Sequence, residues 1–141
     1  MTNFFSFENS LATLFASCAA DLFIDTVDQE FCYRIKTNFG LRTLIFPSIQ
    51  LIHELGYPSK IIFGLTTSNY SSVRSYYLVR NHIILWKKYP KLYKKQYKIT
   101  VIKQYTIYRI VKIILGETDK FNKIKAIFKG VYDGLSGKVV I

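Results

Sequence analysis

Apolar positions along the chain change period several times, and each change marks an element. Val27, Phe31 and Ile35 recur every four residues, the spacing of one helical face. Thr26 with Gln29 three residues later predicts a capping box at the start, and Asn38 with Gly40 predicts the end. Asp28 then falls in the first turn, where the helix dipole favours a carboxylate. Glu30 and Arg34, four apart, are expected to pair on the solvent side. The next run, "LRTLIFPSIQLIHELGYP", is apolar and β-branched, split by Pro47 and closed by Gly56 and Pro58. It predicts two short strands, about 41–46 and 49–54.

Helical spacing returns in "SVRSYYLVRNHIILWKKY", residues 72–89. Val73, Tyr76, Tyr77, Arg80 and Ile84 lie on or near one face, and Pro90 breaks the helix. A further long helix is predicted over 92–115 with Gly116 as its stop, then an amphipathic helix over 119–133 and a loose tail, "GLSGKVVI". No internal repeat and no low-complexity linker interrupts these elements.

Charge changes this picture more than length does. At 141 residues the chain suits one domain with a modest core, and 50% hydrophobic residues exclude disorder. The net charge is +11, and it is unevenly placed: residues 87–129 hold 13 Lys/Arg against Glu117 and Asp119. Such an excess points to an anionic partner, whether nucleic acid, an anionic membrane face or a phosphorylated substrate. It also suggests a division near residue 86, into 1–85 and 86–141. Cys18 and Cys32 have no zinc-ligand spacing and fit a reducing cytoplasmic compartment. The first 20 residues end in small residues like a signal peptide, yet they lack Lys or Arg and are interrupted by Glu8 and Asn9. No uncharged apolar run approaches the roughly 18 residues of a membrane span.

Candidate chemistry is sparse. Asp28, ionised and flanked by apolar residues, is a candidate general base or else a plain N-terminal helix acid. His53, between Ile52 and Glu54, is a metal ligand or a structural histidine. Arg74 and Arg80, interleaved with Tyr76 and Tyr77, could grip a phosphate while the rings stack on a base or sugar. Their alternative is an ordinary wet helix face. The Lys/Tyr-rich segment 87–109 is either solvated or an interfacial helix on anionic lipid. There is no GxGxxG, no P-loop and no G-x-S-x-G, so no nucleotide-phosphate cradle of those kinds is present.

Four segments in series carry a resemblance: "LFIDTVDQEFCYRIKTNFG", "LIHELG", "YSSVRSYYLVRNHIILWKKY" and "IFKGVYDGLSGK". Together, over residues 22–137, they resemble the second half of bacterial family-2 glycosyltransferases, in particular the rhamnosyltransferase-like enzymes of O-antigen and capsule assembly. The resemblance implies an α/β fold: a partial GT-A (nucleotide-diphospho-sugar transferase) domain over 1–85, followed by membrane-surface helices over 86–141. It implies an inverting sugar transfer from a nucleotide-sugar donor to a lipid-linked glycan acceptor. Asp28 would be the catalytic base and His53 a metal ligand, and the helix with Arg80 and Asn81 would close over the site, adding Asn81 to Arg74 and Arg80 as substrate-binding candidates. A divalent ion, Mg or Mn, would serve the intact enzyme at the cytoplasmic, anionic face of the inner membrane. The family's Asp-x-Asp motif occurs nowhere here and belongs to an N-terminal half. The expectation is therefore an N-terminally truncated chain, inactive alone and binding no metal. The rival is a non-enzymatic basic module for nucleic acid or anionic membrane; the acidic cluster near Asp28 weighs against nucleic acid.

Overall fold

The computed structural model describes residues 22, 24–44, 46–49, 60–62 and 65–137. The first helix, α1, spans Val27–Phe39 and stops at Gly40, whose left-handed φ of 65° lets its N–H reach the Lys36 carbonyl. A two-stranded antiparallel hairpin follows, β1 (Lys60–Ile62) and β2 (Leu65–Thr67), with Lys60 opposite Thr67. Helix α2 spans Ser72–Lys88; the Ser71 hydroxyl caps it by accepting from the Arg74 N–H at 3.2 Å. It passes through residue 86 without a break and ends ahead of Pro90.

The next helical stretch changes pitch midway. Helix α3 (Lys95–Ile102) runs into a π-helical segment, Lys103–Ile107, which continues as α4 (Tyr108–Gly116). Helix α5 spans Lys120–Ser136, so the first residues of the expected tail are helical. Its principal neighbour is α2, and the hairpin packs on α4.

Among the described residues two apolar clusters hold these helices. Leu22, Leu85, Tyr89 and Tyr93 form one, with Val27 and Tyr33 of α1 against it. Val79, Ile83, Ile113 and Ile127 form the other and join α2, α4 and α5. Close approach of α2 and α5 depends on two glycines. A Cβ at Gly130 would lie 2.5 Å from the Tyr76 carbonyl oxygen, and one at Gly134 2.9 Å from the Ile83 Cβ. Beside them the Tyr76 hydroxyl donates to the buried Asp133 carboxylate at 2.8 Å. Burial, then Asp133, pushes the Tyr76 phenol up to about 12.

The α/β expectation is overturned. The described residues make a helical assembly with one short hairpin, and no parallel sheet occurs among them, so the partial GT-A domain is not what they build. Residues 41–44 and 46–49 form no strand: Leu41, Leu44, Phe46 and Ile49 are all exposed. A β-branched run becomes a strand only where a neighbour accepts its backbone hydrogen bonds, and none among the described residues does. Most of the second expected strand, with His53, lies outside the described residues, as do residues 1–20 and Cys18.

Two finer expectations for α1 also change. Thr26 is itself left-handed, φ 64°, and makes no side-chain cap. The Glu30–Arg34 pair forms at 3.4 Å, but on the buried face, with Glu30 only 1% exposed. Glu30 pairs with Lys88 at 2.8 Å and accepts a hydrogen bond from the Tyr89 hydroxyl at 2.7 Å, which ties α1 to the end of α2.

Candidate functional site

Asp25 occupies an unusual backbone. It and Thr26 are consecutive left-handed residues, φ 57° and 64°, a conformation that costs a non-glycine residue free energy and persists only when surroundings fix it. Asn81, wholly buried in α2, supplies that constraint: its amide donates to the Ile24 carbonyl at 2.6 Å and the Asp25 carbonyl at 3.4 Å. Arg74, two turns earlier on α2, holds the Asp25 carboxylate with two hydrogen bonds, 3.2 and 3.0 Å.

This pair forms one wall of a cleft of about 300 Å³, whose lining includes Tyr70, Gln104, Tyr105, Tyr108, Arg109 and Lys112. The Tyr70 ring meets two guanidinium groups, with its centre 4.3 Å from Arg74 and 5.0 Å from Arg109. Arg109 is buried and forks onto both oxygens of Glu117, which also accepts from Lys123 at 3.0 Å. Asn69 accepts from Lys123 at 2.6 Å and so ties the loop after β2 to this network. Beneath the cleft, His82 stacks on Tyr105 with ring centres 4.3 Å apart. Burial lowers the His82 pKa to about 4, against the opposing pull of Asp25, so the ring is neutral at pH 7.

The sequence-derived candidates separate in space. Arg74 lines the cleft, and Asn81 acts behind it on the Asp25 backbone. Arg80 is fully buried, donating to Asn81 at 3.2 Å and lying 5.9 Å from the Tyr77 ring centre. Asp28 is exposed on the first turn of α1 and is not among the residues lining the cleft. His53 lies outside the described residues. Among the described residues no group of three or more His, Cys, Asp or Glu could hold a metal.

Asp25 is not among the sequence-derived candidates, and Arg109 and Lys112 enter there only as part of the basic excess. A signal was available: Tyr105, Tyr108, Arg109 and Lys112 fall at i, i+3, i+4 and i+7, one helical stripe. The cleft also joins distant segments, because Asp25 and Arg74 come from the first and third of the four segments quoted above. Tyr76 and Asp133 join the third to the fourth.

Among curated proteins, the chain is similar to the dTDP-rhamnosyl transferase RfbF of Shigella flexneri, with 32% identity over 119 residues. The chain is related to a rhamnosyltransferase. The match takes in 83% of this chain and 38% of the relative, so the chain spans well under half of that protein's length. No family model matches the chain, and no solved structure matches it.

Proposed function

We propose that the chain is a working part of a rhamnosyltransferase-like glycosyltransferase. Its reaction moves a sugar, rhamnose first among the candidates, from a nucleotide-sugar donor to a hydroxyl of a lipid-linked glycan in cell-surface polysaccharide synthesis. The similarity to the Shigella transferase carries the proposal. The cleft supports it, because segments of that matched span converge on one polar, aromatic-lined opening.

Asp28 is the proposed base. It is exposed in the first turn of α1. Asp25 has both oxygens held by Arg74 and is better suited to shaping the cleft than to taking a proton. A divalent ion is expected of the intact enzyme by family resemblance; among the described residues no group of three or more His, Cys, Asp or Glu is gathered to hold it. Attachment to an anionic inner-membrane face is part of the same proposal. Phe121, Phe128, Tyr132 and Leu135 are exposed on α5, beside Lys125 and Lys129. No helix among the described residues is long and apolar enough to cross a membrane.

A chimera tests the proposal: this chain replaces the matched span of the Shigella transferase, and rhamnose transfer from dTDP-rhamnose to lipid-linked acceptor is measured. Transfer by the chimera, with none by the chain alone, is expected. A folded chimera without transfer would count against the assignment.

A further inference from the structure

A second opening shares the π-helical segment with the cleft: Tyr105 lines the cleft, and its neighbour Thr106 lines a partly enclosed cavity of about 210 Å³. That cavity lies between α2, α3 and α5. Val79, Ile83 and Trp86 line it at i, i+4 and i+7 on α2, and Val131 and Leu135 line it one turn apart on α5. No charged side chain is in its lining, and Thr106 supplies the only hydroxyl. Uneven packing around α2 accounts for the space. Gly130 and Gly134 let α5 close against α2, whereas α3 meets α2 over a far smaller surface. Protein interiors keep few voids larger than a water molecule, because lining atoms without neighbours forfeit dispersion contacts. An ordered water needs about two to four polar partners, more than one hydroxyl supplies. The chemistry that completes this lining is hydrocarbon.

We propose that the cavity takes up the end of one acyl chain of a bilayer lipid. Ile102 and Leu135 are the exposed members of its lining and so mark the mouth. Leu135 also belongs to the face of α5 that exposes Phe128 and Tyr132. With that face laid into the headgroup boundary, acyl chains lie against the mouth. The chain enters tail first, since the lining offers nothing to pair with a headgroup charge. A methylene takes up about the volume of a water molecule, ~30 Å³, so roughly seven carbons fill the space. The inference rests on the membrane part of the sugar-transfer proposal for the source of the chain. It adds a hydrocarbon site apart from any donor or acceptor.

Trp86 is the chain's one tryptophan and lines the cavity, so its fluorescence reports the occupant. In solution, straight-chain alcohols from butanol to dodecanol would be titrated against the full chain. Affinity should rise about fourfold for each added methylene and level off at roughly seven carbons, when the cavity is full. Phosphatidylglycerol vesicles would then be doped with phosphatidylcholine brominated either near the headgroup or near the chain end. Chain-end bromine should quench Trp86 more strongly. Val131→Phe should bring the levelling point about two carbons earlier and remove the extra quenching, with co-sedimentation on vesicles retained. If Val131→Phe loses its helical circular dichroism, Thr106→Leu takes its place. The proposal is overturned if no alcohol saturates, or if affinity climbs with length without levelling, the mark of adsorption on the outer surface. It is also overturned, with the membrane reading intact, if the chain sits on vesicles yet chain-end bromine quenches no more than headgroup bromine. Absence of any vesicle binding would overturn the membrane reading and the bilayer source together.

Discussion

Replacing Gly130 by Ala should destabilise the protein even though it improves the local helix. In the interior of α5, Ala is favoured over Gly by about 1 kcal/mol, because it loses less backbone entropy on folding. At this position the new methyl would sit 2.5 Å from the Tyr76 carbonyl oxygen and 3.3 Å from its carbonyl carbon. Those atoms are main chain of α2 and cannot rotate aside, so the two helices must move apart. Overpacking costs about 1–3 kcal/mol, and contact with backbone places this site at the upper end. Subtracting the propensity gain leaves a net loss of about 2 kcal/mol, a fall in midpoint of about 6 to 10 °C for a chain of this size. Thermal and urea denaturation followed by circular dichroism would measure it. Separation of the helices should also lengthen the Tyr76–Asp133 hydrogen bond, so the Tyr76 phenol should titrate closer to its usual value of 10. A Gly130→Ala variant more stable than the parent would refute the close crossing of α2 and α5.

Acid should weaken the fold through His82. Its folded pKa near 4 lies below the ordinary 6.5, so the unfolded chain takes up this proton first. Stability is full above pH 6.5 and falls toward pH 4, by about 3 kcal/mol over the whole window, and urea midpoints of His82→Gln should lack that component of the slope. Glu117→Gln should cost about 3–5 kcal/mol by leaving Arg109 and Lys123 buried with one neutral partner, measured by the same denaturation; a loss under 1 kcal/mol would show the network to be hydrated. In an active chimera, Asp28→Asn should lower turnover by roughly 10²- to 10⁴-fold with folding intact, and near-native turnover would remove Asp28 from the mechanism. Phe128→Glu should reduce co-sedimentation of the full chain with anionic vesicles, and unchanged binding would rule out the outer face of α5 as the contact surface.

The helices were legible in the sequence because their signals are local. Gly40, Pro90 and Gly116 punctuate the chain, and α1, α2 and α5 fall within a few residues of their expected limits. The class of fold was not legible, since whether "LRTLIF" pairs as a strand depends on a neighbour that the run does not contain. Which face of α1 turns inward was misjudged for a related reason. Glu30 looks solvent-bound until Lys88 and Tyr89, nearly sixty positions away, arrive to compensate it. Arg74 is singled out by residue type and Asn81 by the resemblance; neither points to the contacts they make with Asp25, which span 49 and 56 positions. Tyr89 and Tyr93, expected among the rings facing lipid, are buried instead against Leu22 and Leu85.

The π-helical segment at Lys103–Ile107 has a consequence for descent. Such a segment holds one residue more than the α-helix it interrupts, and one residue is about 100° of helical rotation. Losing a single codon there would turn everything downstream by that angle while leaving a longer, more regular helix. Tyr105 would leave the His82 ring, and the stripe that carries Arg109 and Lys112 would swing away from Tyr70. A relative that aligns with a one-residue gap inside this segment should therefore keep the helix and lose the cleft. Gap position, more than percentage identity, would sort which relatives share this opening.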